Sequence, residues 1–278
     1  MAKRLLQILV MALLALPVHA LELQGKFKQG ALLKGEVEPD TEVYLNDEPV
    51  PVLSDGRFSI GFGRDAANEH RIRLEKPSGE SEEHRITIAE RDYDIQRVEG
   101  VPQETVTPSE EHLERIRNEA VRVREARAER TEHDAFLGDY IWPVEGRITG
   151  VYGSQRSYNG EPRQPHYGVD VARPTGTEVM APAAGRVTLS EPDLYFSGGT
   201  LIIDHGYGVS STLMHLSALH VEVGDWVEQG QPVGEVGATG RATGPHLDWR
   251  MNWFSERIDP TTIAPPIEDG HTPGAQRN

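Results

Sequence analysis

The chain has 278 residues, a formal net charge of −16 and no cysteine. That length suits two modest domains and a connector. The acidic balance argues against a nucleic-acid binder, which carries a basic patch or stripe. The missing cysteine excludes disulfides, thiolate metal ligands, a cysteine nucleophile and a lipid-modified N-terminal cysteine.

Residues 1–20 begin with Lys3 and Arg4, run almost unbroken through apolar residues from Leu5 to Leu16, and close on Pro17 and Val18-His19-Ala20. The apolar run is shorter than the roughly 20 residues needed to cross a bilayer, so it reads as a secretory signal peptide with a small-residue cleavage site. An uncleaved amphipathic anchor is the alternative. No other long apolar stretch follows, so no transmembrane span is expected after cleavage.

Residues 21–100 read as a small β-sandwich of immunoglobulin-like type. Short alternating runs (ALLKGEV, TEVYLN, GRFSIGF, HRIRLEK, HRITIAE) recur between turn signals at Asn46-Asp47 and Asp55-Gly56. His70 and His84 sit in charged surroundings and are expected at the surface.

Residues 101–138 change character. Pro108-Ser109 can start a helix, with Glu110 and Glu111 in its first turn. Leu113, Ile116, Ala120 and Val123 form a narrow stripe at helical spacing, and the rest is dense in Glu and Arg. The expectation is a charged linker helix laid on one domain. Arginines that bind a separate partner are the weaker alternative, because a mixed charge run is usually a solvated face.

Residues 139–262 are rich in Gly and Pro, with short strands and no sustained helical period, so an all-β domain is expected. Residues 263–278 read as a flexible tail. Within the second domain two clusters stand about eighty residues apart, PHYGVD with His166 and Asp170, and GPHLDW with His246 and Asp248. Imidazole and carboxylate are the nitrogen and oxygen ligands of zinc. On an extended strand His166 and Asp170 would lie roughly 13 Å apart, so sharing one metal demands a bend, which Gly168 permits. His246 and Asp248, two apart on a strand, point to one face. His215, in the semi-apolar run LMHLS, is a third candidate, although a lone histidine there is more often only hydrogen-bonded.

Across 141–256 these words resemble the lysostaphin/LytM-type zinc metallopeptidases, which cut peptide cross-links in bacterial cell walls. The likeness runs through GRITGVYG, NGEPRQPHYGVDVARPTGTEVMAPAAGRV, GGTLIIDHGYG, MHLS and VEVGDWVEQGQPVGEVGATGRATGPHLDW. The preceding β domain and charged helix look like the N-terminal parts of exported Gram-negative members. The resemblance implies a LytM-type peptidase domain holding one Zn²⁺ through His166, Asp170 and Asp248. His215 and His246 would be catalytic, one as general base and the other as hydrogen-bond donor to the developing oxyanion. It also implies a periplasmic location and a peptidoglycan peptide substrate. In a Gram-negative envelope it suggests the bond between D-alanine and diaminopimelate, while some members cut glycine bridges or elastin, and the sequence does not decide among them.

Two positions depart from the family's pattern. Asp248 stands where a third ligand is normally His, and Leu213 where many members have Tyr. Aspartate is a legitimate zinc ligand. A second carboxylate, however, makes the site formally neutral, lowers the pKa of bound water less and tilts preference toward harder metals. A catalytically impaired regulator that binds and activates a cell-wall amidase or another envelope protein is therefore the alternative. A lipoyl-type carrier, suggested by VEVGDWVEQGQPVGEVG, needs a lysine, and the last lysine is Lys76. Trp142, Trp226, Trp249 and Trp253 could stack on sugars, but core packing is the stronger expectation.

Overall fold

A computed structural model describes residues 21–98, 110–158 and 160–266. The signal segment, the expected helix start at Pro108-Ser109 and the tail from 267 lie outside the described residues.

The N-terminal strands are β1 (Glu22–Gln24), β2 (Leu32–Glu36), β3 (Glu42–Leu45), β4 (Glu48–Val50), β5 (Arg57–Gly61), β6 (Glu69–Glu75), β7 (Ser81–Thr87) and β8 (Ile95–Val98). They build a three-stranded sheet in the order β1-β2-β5 and a four-stranded sheet in the order β4-β3-β6-β7. Alternation explains the pairing. Leu33, Phe58 and Ile60 turn inward from one sheet and meet Val43, Leu45, Ile72 and Leu74 from the other in a single core. Asn46 and Asp47, between β3 and β4, have φ of 51° and 70°, the left-handed pair that a two-residue hairpin turn demands and that Asn and Asp tolerate. His70 departs from the expected surface position. It is half-buried, stacks on Phe62 with ring centroids 4.5 Å apart and bonds Asn46 at 2.9 Å.

Helix α1 spans Glu110–Ala128. After it come β9 (Arg147–Gly150), β10 (Gln155–Tyr158), β11 (Glu161–Pro162), β12 (Val169–Ala172), β13 (Glu178–Met180), β14 (Gly185–Leu194) and β15 (Gly198–Gly206). The last strands are β16 (Val209–Leu219), β17 (Trp226–Val227), β18 (Pro232–Val236), β19 (His246–Trp253) and β20 (Glu256–Ile258). Ten of these form one sheet with the main path β17-β14-β15-β16-β19-β12-β9. Its inner face buries Val169, Val171, Leu201, Ile203, Leu213, Leu247, Trp249 and Met251 in the large core.

The opposite face carries α1. Val123 and Ala126 pack on Leu189, Leu194 and Ile202, while Leu201 and Ile203, on either side of Ile202, point to the large core. The expected stripe is rotated in one respect. Ala120 is exposed, and Glu119 is buried in its place. Its carboxylate accepts from the Tyr195 backbone N–H at 2.8 Å and from Arg115 at 2.6 Å, so burial leaves it satisfied. Arg115 also reaches Asp193, and Arg122 reaches Glu191, so two of the helix's arginines are spent on the ten-stranded sheet and its edge.

The two domains share contacts. Trp253 packs against both cores, and a Cβ on Gly61 would come within 2.6 Å of it. Arg91 pairs with the buried Asp259 at 2.7 Å. Strand β8 leaves the sandwich and pairs in parallel with β10, which in turn pairs with β11. Among the described residues no helix is long and apolar enough to cross a membrane.

Candidate metal centre and active site

Strands β12 and β19 are antiparallel neighbours, with Asp170 opposite Asp248 and Ala172 opposite His246. Residues directly opposite each other share a face, so the register brings two carboxylates together on the face away from the large core. His166 lies in the loop before β12 rather than on the strand, and that is how it curls back over Asp170. Its N–H donates to Ser154 O at 2.8 Å, and its carbonyl accepts from Gly153 N at 2.7 Å.

Gly168 serves this loop differently from the expectation. It is absent from the residues with positive φ, and its role is steric. A Cβ there would lie 2.3 Å from Asp248 Oδ1, as one on Gly150 would lie 2.1 Å from Asp170 Oδ2. The two glycines leave room for the two carboxylates.

His166, Asp170 and Asp248 each offer a ligand atom within 4.8 Å of the others. His166 Nε2 stands 3.2 Å from Asp170 Oδ1, yet both atoms are buried without a hydrogen bond. Orphaned polar atoms of opposite character facing each other are costly unless something sits between them. A divalent cation with nitrogen and oxygen ligands suits that gap. The residues present therefore fit a metal ion.

His215 and His246 complete the cluster, with ring centroids 4.7 Å apart. Simple alternation would turn His215 toward the core, as it does Leu213. Instead its φ is 65°, and two residues, Met214 and His215, face the single Thr200 between the Leu201–Leu213 and Gly199–Leu216 pairs. This bulge re-aims the imidazole onto the site face. A left-handed non-glycine residue costs on the order of 1–3 kcal/mol and collects at working sites. His215 Nδ1 lies 2.9 Å from Thr239 O, and His246 Nδ1 lies 2.8 Å from Gly244 O. A carbonyl only accepts, so in the neutral rings each Nδ1 carries the proton and each Nε2 keeps a free lone pair. Burial holds the His215 pKa below the usual histidine value. Burial also pulls His166 down, but the neighbouring carboxylates of Asp170 and Asp248 outweigh it and raise the net value.

Arg250 is the residue that sequence reading missed. It lies two positions from Asp248 on β19, and a period of two puts both on one face. Its Nη2 donates to Asp248 Oδ2 at 2.7 Å, and its Nε sits 3.1 Å from both oxygens. Burial pushes the Asp248 carboxyl up, but the guanidinium more than reverses this and holds it below the usual range. The Asp170 and Asp248 carboxylates and this one guanidinium sum to a single negative charge. A set of two histidines and one aspartate carries the same charge. The neutralisation expected from Asp248 is thus offset within the protein.

The tryptophans mostly pack. Trp249 is fully buried with Trp142 edge-on at 5.5 Å, whereas Trp226 is exposed.

Residues 164–260 match the model of Peptidase family M23. The chain is 28% identical to a crystallised putative peptidase M23 from Pseudomonas aeruginosa, covering 86% of this chain and 95% of that one, with a TM-score of 0.66. It is 38% identical over 104 residues to the DD-carboxypeptidase/endopeptidase Mpg of Neisseria meningitidis serogroup B, which is 37% of this chain and 24% of that protein. It is 35% identical over 113 residues to the peptidoglycan DD-endopeptidase ShyA of Vibrio cholerae, 40% of this chain and 26% of that protein. The chain thus spans about a quarter of the length of these curated relatives. The likeness to peptidase family M23 thus lies in the C-terminal part of the chain, over residues 164–260.

Proposed function

We propose that the chain is a zinc-dependent endopeptidase that hydrolyses peptide cross-links of peptidoglycan in the periplasm of a Gram-negative bacterium. The observation that carries this reading is the orphaned pair His166 Nε2 and Asp170 Oδ1, set beside Asp248 and two histidines with free Nε2 atoms. The activities for which the Neisseria and Vibrio relatives are named support the substrate class.

His166, Asp170 and Asp248 would hold the ion. When bound, it supplies a Lewis acid for the scissile carbonyl and a water of lowered pKa. The protein's own part is proton handling. Either His215 or His246 takes the proton of the attacking water on its free Nε2, and the other, which must be an imidazolium carrying a proton on Nε2 as well as Nδ1, donates to the developing oxyanion. The acquired proton then returns to the leaving amine. Arg250 fixes the Asp248 carboxylate, so the ligand does not swing away.

The Arg250–Asp248 pairing also favours a second reading, in which the guanidinium replaces metal and the domain regulates an amidase. Zinc content of the purified protein, with muropeptide release measured with and without chelator, separates the two. The expected outcome is about one zinc per chain, with cleavage abolished by chelator and by His166→Ala, since zinc sites of this kind use three protein ligands. Folded protein with neither zinc nor cleavage would leave the regulator. Cleavage by metal-free His166→Ala would overturn the metal mechanism.

A further inference from the structure

In a chain of net charge −16, three guanidinium groups gather on the polar face of the sheet beside the metal ligands. Arg250 is held by Asp248. Thr212 lies opposite Arg250 across β16 and β19, and Arg127 reaches over from the end of α1 to the Thr212 hydroxyl at 3.3 Å. Arg257 donates to Asn252 Oδ1 at 2.9 Å, one step further along β19 from Arg250. Among the described residues neither Arg127 nor Arg257 has a carboxylate partner, and Arg127 Nε is buried with no hydrogen bond at all. Burial first, and then the charges of Arg257 and Arg250, push the Arg127 pKa down to about 9.

Uncompensated cations in a partly buried site are costly unless an anion completes them. Guanidinium forks match a carboxylate in both shape and charge. Arg250 keeps about a quarter of its side chain accessible, so the patch reaches solvent at that guanidinium.

We propose that Arg127, Arg250 and Arg257 form a carboxylate subsite that takes the free carboxylate on the leaving side of the scissile bond. The assignment rests on the peptidase reading above and names its substrate class. Where D-alanine acylates the amine at the D-centre of a diamino diacid, the carbon bearing that nitrogen also bears a free carboxylate. Hydrolysis breaks the amide C–N bond. Water gives its hydroxyl to the D-alanyl carbonyl carbon and a proton to the departing amine, and the neighbouring carboxylate is untouched throughout. A DD-carboxypeptidase substrate presents the same group, because the residue it releases ends in a carboxylate. A glycine bridge continues as an amide at that position and offers the arginines nothing. The subsite therefore selects cross-links whose leaving residue is anionic.

The test is calorimetric titration of the full chain, under chelator so that nothing turns over, with a purified tetrapeptide cross-linked dimer and with the same dimer amidated at that carboxylate. One charge-assisted contact at this site should make the free acid bind about tenfold to a hundredfold tighter. Arg127→Gln and Arg257→Gln, each checked for unchanged circular dichroism, should bring the two dimers close to equal affinity, and Arg127→Lys should restore part of the difference. Equal binding of the two dimers by the unaltered chain, binding of neither, or full discrimination in both Gln variants would overturn the subsite. Discrimination without cleavage in the zinc-loaded protein would sink the peptidase reading and leave the subsite standing. Cleavage without discrimination would do the reverse.

Discussion

The two faces of β19 obey opposite rules. Leu247, Trp249 and Met251 point into the large core, fully buried, and apart from the Trp249 indole N–H, which donates to Ser211 Oγ at 3.3 Å, they need only shape and volume from their neighbours. His246, Asp248, Arg250 and Asn252 occupy the alternate positions, and each is held by a named polar partner. The apolar face tolerates approximation. The polar face does not, because removing one member leaves another buried and unsatisfied.

Three experiments would break or sharpen this contrast. The largest expected effect is on the apolar face. Trp249→Ala removes the largest fully buried side chain and should cost about 3–5 kcal/mol of unfolding free energy, read from denaturant titration. On the polar face Arg250→Ala strips Asp248 of its cation and should cost about 3 kcal/mol, the low end for orphaning one member of a buried pair, because Arg250 keeps about a quarter of its side chain accessible. The double variant Arg250→Met, Asp248→Asn should recover much of that loss. If the single variant proved as mild as a surface substitution, the interdependence claimed for this face would be wrong.

The smallest effect concerns pH. His205 is fully buried, with Nδ1 on Ala184 O and Nε2 on the Ser211 hydroxyl, and burial depresses its pKa to about 4. The unfolded chain takes up this proton near pH 6.5 and the folded chain only near 4, so its contribution is complete above 6.5 and is lost as pH falls toward 4. The loss should be about 3 kcal/mol at most. Unfolding midpoints measured across that interval should fall less steeply in His205→Gln.

Much of this was legible in the sequence. The strand pattern separates Leu247 and Trp249 from His246 and Asp248, and the local words around His166 and Asp170 mark them as a pair. Three features were not legible, for identifiable reasons. His215 reaches the site through a left-handed bulge that alternation does not encode. Glu119 displaces Ala120 at the helix contact because a backbone N–H, that of Tyr195, waits there to satisfy it. Arg127 meets Arg250 only through tertiary packing, across more than a hundred residues of chain. Arg250 was the exception. Its period-two spacing from Asp248 was available and went unused.

The parallel pairing of β8 with β10 makes the ligand loop a joint property of both domains. His166 is anchored to Ser154 and Gly153, just before a strand whose outer neighbour comes from the sandwich. Opening of that loop is therefore coupled to release of the sandwich, so the two should exchange their amide hydrogens as one cooperative unit. A fragment cut between the domains would keep all five site residues and lose the strand that braces the loop carrying the first of them.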